Sequence, residues 1–313
     1  MPQHHTAAVN GIDVHYVEEG EGPLVLLLHG FPESWYSWRH QFGPLAAAGY
    51  RVVAPDQRGY GGTDRPAAVD AYTMPHLVGD VVGLIGALGE RQAVVVGHDW
   101  GAPVAWHTAL FRPDLVRGVV GLSVAPSHHM PVPPLSLMRQ RFGDDFYQLY
   151  FQEPGVADAE LAADPRATFR KVLVGGSATG TLTGRTAGTG FIGDLPEPAT
   201  LPSWFTEADV EEYATQYGAA GFTGGLNWYR NIDRNWELTA PWRTARITPP
   251  AALIAGDHDL VRTFYPPGFL DQLAAIVPDL RAVVDVPDCG HWTQQEQPER
   301  VNAALLEFLA GLD

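Results

Sequence analysis

Short apolar runs alternate with amphipathic stretches along much of the chain. Runs of four to seven residues rich in Val, Leu and Ile are typical of strands buried on both faces of a sheet. The stretch 73–88 instead places Leu77, Val81 and Leu84 on one face, which predicts a helix. Strands that alternate with helices predict a mostly parallel sheet covered on both sides. The buried strands are predicted over 23–28, 51–54, 93–96, 118–124, 250–255 and 282–286.

Two regions depart from this alternation. Residues 12–17 alternate polar and apolar side chains, and we expect a strand that enters a hairpin at Gly20-Glu21-Gly22. After Pro126 the strand–helix pattern stops, and Pro-rich turns and helical stretches around 144–152 and 206–217 follow. We interpret this region as a helical cap, or lid, inserted into an α/β core. The predicted domains are the first part of the core over 1–127, the cap over 128–246 and the second part of the core over 247–313.

A Gly/Thr-rich run over 175–190 interrupts the predicted cap. It lacks the Gly-Lys-Ser/Thr ending of a phosphate-binding loop and follows no clear strand. We therefore expect a flexible lid loop there, and we expect the lid, in particular residues 175–202, to set the size of the pocket.

Composition narrows the class of protein. Hydrophobic residues make up 45% of the 313 residues and charged residues 18%, as in a chain that builds a core. The net charge of −16 disfavours nucleic acids and anionic membranes and favours a neutral or apolar ligand. Cys289 is the one cysteine, which excludes an internal disulfide and a cysteine-based zinc site.

The N-terminal residues and the lysine usage suggest the cellular location and the type of source genome. The first residues carry no signal-peptide pattern and the longest apolar runs have strand length, so a cytoplasmic location is predicted. Lys171 is the one lysine among 20 basic residues, a bias typical of a GC-rich bacterial genome.

The stretch 93–102 carries the strongest chemical signal. A buried strand ends in Gly97-His98-Asp99-Trp100-Gly101, and a helical pattern follows. A glycine two residues before and after the apex of a strand–helix turn is the geometry of a nucleophile elbow, because a side chain at either position would collide with its neighbours. Asp99 occupies the apex, where it would be either a nucleophile or only a helix N-cap.

Two further residues favour the nucleophile. A carboxylate at the end of a late strand, Asp259, and a histidine after the last strand, His291, follow Asp99 in the order nucleophile, acid, base. In open α/β sheets functional groups gather at the carboxyl ends of strands, where all three residues are predicted.

At this point the chain resembles the α/β-hydrolase-fold epoxide hydrolases of the soluble type, from about Gly11 to Phe308. The resemblance implies a mostly parallel eight-stranded sheet flanked by helices, with an inserted helical cap. It implies the opening of an epoxide to a vicinal diol through a covalent ester, with no metal and no organic cofactor. The motifs that carry it are His29-Gly-Phe-Pro-Glu-Ser-Trp-Tyr-Ser-Trp-Arg39, Gly97-His-Asp-Trp-Gly101, Tyr147-Gln-Leu-Tyr-Phe-Gln-Glu-Pro-Gly155, Asn227-Trp-Tyr-Arg-Asn231 and Asp288-Cys-Gly-His-Trp-Thr293.

The resemblance also assigns roles. Asp99 would attack the epoxide, and two cap tyrosines, Tyr147 and Tyr229, would protonate the alkoxide. His291, oriented by Asp259, would activate the water that hydrolyses the ester. Tyr150 is assigned to packing, and the acid is placed at Asp259 rather than Asp257 because the family's acid precedes an apolar pair.

Backbone groups complete the expected site. The N–H groups of Phe31 and Trp100 match the oxyanion hole of the fold, and the Phe31–Pro32 peptide is expected to be cis. Trp35 and Trp292 are predicted to line an aromatic pocket for a hydrophobic, aryl-substituted epoxide. Metal binding by 257–259 is disfavoured because consecutive strand-end side chains point in different directions.

Alternative functions remain at this stage. A haloalkane dehalogenase would share the Asp nucleophile and the Trp after it, but a departing halide needs no proton donor, so Tyr147 and Tyr229 favour an epoxide. A non-catalytic binding protein of the same fold is the alternative from another class, and a serine esterase is disfavoured because the elbow lacks Ser. The expected partners are a small epoxide and water, and the sequence leaves open whether the chain forms a homodimer.

Overall fold

One mixed sheet organises the larger part of the molecule. The computed structural model describes residues 2–127, 129–175, 189–266 and 268–312. An eight-stranded sheet has the order β1-β2-β4-β3-β5-β6-β7-β8. Its strands are β1 Gln3–Val9, β2 Ile12–Glu19, β3 Leu24–Leu28, β4 Arg51–Pro55, β5 Ala93–His98, β6 Val116–Leu122, β7 Ala251–Gly256 and β8 Leu280–Val286.

The pairing confirms the predicted mostly parallel sheet. Strands β4, β3, β5, β6, β7 and β8 run parallel to one another, whereas β2 is antiparallel to both β1 and β4. The central strands β3, β5 and β7 are buried along their whole length, which is why they appear in the sequence as continuous apolar runs. Their carboxyl ends therefore lie at one edge of the sheet.

The prediction of a hairpin at Gly20-Glu21-Gly22 was wrong. Strand β2 does not pair with β3; it pairs with β1, and the turn between β1 and β2 is Asn10-Gly11. Both turn residues have positive φ, 48° and 78°, as the tight turns favoured by Asn-Gly require. The sequence analysis missed β1 because this edge strand is mostly exposed and has almost no hydrophobic pattern.

The chain forms two compact units. The first comprises residues 1–57, 74–128 and 244–313 and contains the whole sheet. Its core is built from the apolar side chains of the strands, together with Trp38, Phe42, Leu305 and Phe308 from helical segments. The helices of this unit are Phe42–Ala47, Met74–Ala87, Gly101–Phe111, Phe269–Ile276, Thr293–Glu296 and Pro298–Ala310, with 3₁₀ turns at Trp35–Trp38, Pro113–Leu115 and Leu260–Phe264.

The second unit contains helices, turns and irregular segments, and no strand, in the part that the structure describes. It comprises residues 58–73 and 129–243. Its core stacks Phe169 on Tyr213 at a centroid distance of 5.0 Å and packs Tyr217 against Phe222 at 4.6 Å. Its helices are Pro134–Phe142, Tyr147–Tyr150, Val156–Ala163, Pro165–Phe169, Glu207–Ala220, Thr223–Arg230 and Ile232–Thr239, with 3₁₀ turns at Val69–Tyr72 and Ala240–Trp242 and a π-helix at Arg170–Gly175.

The early segment 58–73 was not assigned to the cap by the sequence analysis. It joins the second unit because Trp228 Nε1 donates to the Arg58 carbonyl at 3.1 Å and Asn231 Nδ2 donates to the Val69 carbonyl at 2.7 Å. Contacts between segments so far apart along the chain leave no local pattern. The domain boundaries at residues 128 and 246 stay predictions.

Local helix predictions in the second unit were partly correct. The stretch predicted around 206–217 is the helix Glu207–Ala220, with Thr206 as its N-cap. The stretch predicted around 144–152 contains only the short helix Tyr147–Tyr150. Most of the Gly/Thr-rich run, residues 176–188, lies outside the described residues, so the expected lid loop stays a prediction.

Across the residues described, no helix is both long and apolar enough to span a membrane.

Candidate active site

Asp99 lies at the apex of a tight turn between β5 and the helix Gly101–Phe111. Its φ is +49°, a left-handed conformation that is unusual for a residue with a side chain and that occurs most often at functional sites. A Cβ at Gly97 would collide with the backbone of Gly101, and a Cβ at Gly101 would collide with the Leu28 carbonyl. The turn can therefore form only with glycine at both positions, which is the reason the sequence analysis gave for them.

The two carboxylate oxygens of Asp99 have different surroundings. Oδ1 accepts the backbone N–H of Phe31 at 2.8 Å, and Oδ2 lies 3.4 Å from Nε2 of His291. Burial alone would raise the pKa of Asp99, but the hydrogen bond and charge of His291, the charge of His98 and the Phe31 N–H outweigh it and hold that pKa below its usual range. With a side chain 17% exposed, Asp99 is an ionised carboxylate that solvent can still reach.

His291 lies between two carboxylates. Its Nδ1 is 3.1 Å from Oδ1 of Asp259, on the side opposite the Asp99 contact. Burial alone would lower the pKa of His291, but the charge and hydrogen bond of Asp259, followed by those of Asp99, raise it well above the usual value. The ring is consequently protonated in this state and has one N–H directed at each carboxylate.

Asp259, and not the neighbouring Asp257, faces His291. The Asp259 side chain is fully buried and its Oδ1 also accepts the N–H of Val261 at 2.9 Å, whereas the Asp257 side chain is 39% exposed. Burial would raise the pKa of Asp259, but the charge of His291 lowers it below its usual range. Asp257 instead accepts the backbone N–H of Cys289 at 3.2 Å, which supports the loop.

The loop after β3 supplies the N–H that contacts Asp99. The Phe31–Pro32 peptide is cis, as the sequence analysis expected. Trp100, the other predicted donor, is the residue immediately before the helix Gly101–Phe111 and already has helical φ and ψ of −61° and −28°. Its role as a second oxyanion donor stays a prediction.

Beneath His291 lies a second histidine–carboxylate pair that the sequence analysis did not identify. His98 Nδ1 is 2.7 Å from Glu33 Oε2, and both side chains are fully buried. Glu33 also accepts the N–H of Gly30 at 3.0 Å and the side-chain amides of Gln294 and Gln295, each at 2.9 Å. Burial would raise the pKa of Glu33, but the charge of His98 holds it below its usual range.

His98 of this pair also holds the backbone of the loop that carries His291. The carbonyl oxygen of His291 accepts from His98 Nε2 at 2.7 Å and from Ser123 Oγ at 2.9 Å. Ser123 follows β6 with a φ of +67°, so the chain bends there to direct the hydroxyl at this carbonyl. A charged residue directly after a Gly-Phe-Pro loop was the one sequence signal for Glu33; no local pattern marks Ser123.

The two predicted pocket tryptophans have different surroundings. Trp292 packs against His291 with a ring-centroid distance of 4.8 Å and is almost completely buried. Trp35 packs instead against His4 at 5.2 Å and Phe42 at 6.3 Å, on the hydrophobic core. Trp292 therefore packs against His291 and helps to hold it in place. The contacts of Trp35 are no evidence for its predicted place in the pocket.

The two predicted proton donors lie together in the second unit. The rings of Tyr147 and Tyr229 have centroids 6.0 Å apart at an interplanar angle of 74°, and both are largely buried. Phe151 packs edge-on against each of them, at 5.5 Å and 5.0 Å. Tyr150, assigned to packing, donates its hydroxyl to Glu160 at 2.8 Å, away from this pair.

No metal centre is apparent in the part of the chain that the structure describes, since its His, Cys, Asp and Glu side chains form no group of three or more that could hold an ion. The carboxylates and the histidine around Asp99 offer nucleophilic and acid–base chemistry. A buried carboxylate, a histidine with its own carboxylate and a backbone donor are the groups that an ester-forming hydrolase uses.

Comparison with known proteins identifies the family. Residues 23–298 match the family model for the alpha/beta hydrolase fold. The chain is 48% identical to epoxide hydrolase A of Mycobacterium tuberculosis, with 100% of this chain and 98% of the relative covered, and 45% identical to epoxide hydrolase 3 of Siraitia grosvenorii, with 98% of each covered.

A solved structure agrees with these relatives. The crystal structure of epoxide hydrolase A from Mycobacterium thermoresistibile superposes with a TM-score of 0.94 at 46% identity, over 100% of this chain and 99% of that chain. The chain thus belongs to the epoxide hydrolase family of α/β-hydrolase-fold enzymes.

Replacement of Glu33 should destabilise the first unit strongly. In Glu33→Gln an amide with fewer acceptor sites meets four N–H groups and the buried pair with His98 is broken, so we expect a loss of about 3–5 kcal/mol in the free energy of unfolding at pH 7. Since the pKa of Glu33 is lowered in the folded state, its stabilisation is present above the unfolded-state pKa and is lost as the pH falls through the folded-state pKa.

Urea unfolding of the variant and the wild type at several pH values measures this effect. The control is Glu18→Gln, which removes a partly exposed ion pair with Arg51 and should cost at most about 1 kcal/mol. A Glu33→Gln variant as stable as this control, or a difference from wild type that grows as the pH falls, would contradict the assignment.

Proposed function

We propose that this enzyme hydrolyses a hydrophobic, aryl-substituted epoxide to a vicinal diol through a covalent ester on Asp99. The observation that carries the proposal is the arrangement of the Asp99 carboxylate. One oxygen is engaged by the Phe31 N–H at 2.8 Å, and the other lies 3.4 Å from His291, which in turn is 3.1 Å from Asp259. This arrangement supports roles for Asp99 as the nucleophile, for the Phe31 N–H as an oxyanion donor and for His291 as the oriented base.

The first step forms the ester. Oδ2 of Asp99 attacks an epoxide carbon, the carbon–oxygen bond of the ring breaks, and the ring oxygen leaves as an alkoxide. The lowered pKa of Asp99 supports this step, because the carboxylate is ionised at neutral pH without a separate base. Oδ1 stays with the Phe31 N–H and becomes the carbonyl oxygen of the ester.

The alkoxide needs a proton, since it is too basic to leave at neutral pH. Tyr147 and Tyr229 supply it in this proposal, because a phenol is a proton donor that carries no charge beforehand. Their mutual packing within the second unit supports a role as a pair.

The second step hydrolyses the ester. His291 takes a proton from water, and the resulting hydroxide attacks Cγ of Asp99, which places negative charge on Oδ1. The N–H groups of Phe31 and Trp100 stabilise this oxyanion. On its collapse the bond between Cγ and Oδ2 breaks, the water-derived hydroxyl gives its proton to the departing Oδ2, and the diol and the Asp99 carboxylate are left. Asp259 accepts a hydrogen bond from Nδ1–H throughout and stabilises the imidazolium.

Ester formation changes the charge that surrounds His291. In the free enzyme the Asp99 carboxylate helps to raise the pKa of His291. Once Asp99 is esterified its charge is gone, so the pKa of His291 falls, although Asp259 still raises it. The neutral base is thereby easier to form when there is an ester to hydrolyse.

The substrate class follows from aromatic side chains. Phe151 packs against Tyr147 and Tyr229 in the second unit, and Trp292 packs against His291 in the first unit. Aromatic side chains beside the proposed catalytic groups favour a flat apolar substituent on the epoxide. The expected partners are the epoxide and water. The cytoplasmic location stays a prediction.

The direct test offers the enzyme both an aryl epoxide and a bromoalkane. We expect diol from the epoxide, no bromide release from the bromoalkane, and loss of diol formation in Asp99→Ala. Bromide without diol would instead indicate a dehalogenase. Folded protein that gives neither product would favour a narrower substrate first and a non-catalytic role second.

Asp259→Asn should change the pH dependence of ester hydrolysis. Burial would lower the pKa of His291, and the Asp259 charge is the main influence that raises it. The base must be neutral, so removal of this charge moves the acid limb of the rate to lower pH. The plateau rate should fall about 10²–10⁴-fold, because the imidazolium loses its partner.

Single-turnover kinetics from pH 5 to 9 measure both effects. Asp257→Asn is the matched control, since this neighbouring carboxylate is exposed and does not face His291. An acid limb that moves to higher pH, or equal losses in the two variants, would refute the assigned role of Asp259.

A further inference from the structure

The hydroxyl oxygen of Tyr147 has a neighbouring side chain of its own. Nε2 of Gln148, the next residue in the helix Tyr147–Tyr150, donates to that oxygen at 2.8 Å. A phenol oxygen that accepts a hydrogen bond from an amide cannot donate its own proton along the same contact. The Tyr147 proton is therefore directed away from Gln148.

The same contact favours the ionised phenol. An N–H donor interacts more strongly with a phenolate than with a neutral hydroxyl, because a hydrogen bond to a charged acceptor is the stronger one. Gln148 thus stabilises the form of Tyr147 that remains once its proton has been given away.

A second glutamine fixes both tyrosine segments. Nε2 of Gln152 donates to the Gln148 carbonyl at 2.7 Å and to the Tyr229 carbonyl at 3.0 Å. A primary amide has two N–H groups, and both are used here. The backbone that carries Tyr147 and Gln148 is tied in this way to the backbone that carries Tyr229.

We propose that Gln148 is a positioning residue for proton donation by Tyr147, with Gln152 holding the two tyrosine segments in register. This inference rests on the proposed function, in which a tyrosine protonates the alkoxide. When the epoxide carbon–oxygen bond breaks, the alkoxide takes the Tyr147 proton and the phenolate keeps the Gln148 N–H as its donor. A proton from water restores the phenol before the next turnover.

The kinetic test compares Gln148→Leu with a matched control, Gln216→Leu. Gln216 lies in the same unit, donates its amide to Glu212 at 2.7 Å and, like Gln148, has a buried Oε1 that accepts no hydrogen bond from the described residues. In single turnovers with an aryl epoxide, we expect Gln148→Leu to slow ester formation about 10- to 100-fold and to leave ester hydrolysis within about twofold. The basic limb of ester formation should move to higher pH, since the phenol loses its proton less readily.

A double variant separates positioning from general damage to the fold. In a Tyr147→Phe background, Gln148→Leu should cause no further loss of rate, because the hydroxyl through which it acts is gone. An equal loss in both backgrounds, a loss shared by Gln216→Leu, or faster ester formation in Gln148→Leu would overturn the proposal. The last result would mean that the amide oxygen of Gln148 binds the phenol proton and withholds it.

A measurement without substrate keeps this inference distinct from the proposed function. With 3-fluorotyrosine placed at position 147, ¹⁹F NMR follows the titration of that phenol in the absence of any epoxide. We expect the midpoint to move to higher pH in Gln148→Leu and to stay in place in Gln216→Leu; an unmoved midpoint in Gln148→Leu would refute the role of Gln148. If the wild type formed no diol while the midpoint moved, the proposed function would fail and the Tyr147–Gln148 interaction would stand.

Discussion

The partly buried carboxylate of Asp99 is the constraint on which the surrounding groups of the first unit depend. A charge in this position is stable only because the Phe31 N–H and His291 compensate for the loss of water. His291 in turn needs Asp259, and its backbone carbonyl is held by His98 and Ser123. The positive φ of Asp99 and the two glycines beside it keep the carboxylate at the end of β5, where all these groups meet.

Two histidine–carboxylate pairs therefore have different tasks. Asp259–His291 lies beside Asp99, whereas Glu33–His98 is fully buried and hydrogen-bonds to loop backbone and side-chain amides. The first pair suits chemistry because its charge changes during the proposed cycle. The second pair is suited to a structural role, because the four N–H donors around the Glu33 carboxylate stabilise its ionised form.

The features that the sequence predicted lie within short motifs, whereas most of those that it missed join residues far apart along the chain. The elbow around Asp99, the buried strands and the cis Phe31–Pro32 peptide come from short motifs, and the structure agrees with each. Strand β1 was missed because its exposed face carries no hydrophobic pattern, and the support around Glu33 was missed because it joins positions 30, 98, 294 and 295. The contact from Gln148 to Tyr147 depends on the direction of one side chain, which spacing does not encode.

The central claim is that Asp99, and not water, attacks the epoxide. A single turnover in H₂¹⁸O with enzyme in excess tests it, followed by mass spectrometry of the diol and of the peptide that contains Asp99. The account predicts an unlabelled diol and one ¹⁸O atom in the Asp99 carboxylate, since water attacks Cγ of the ester. A diol that carries ¹⁸O from its first turnover, with Asp99 unlabelled, would contradict the account.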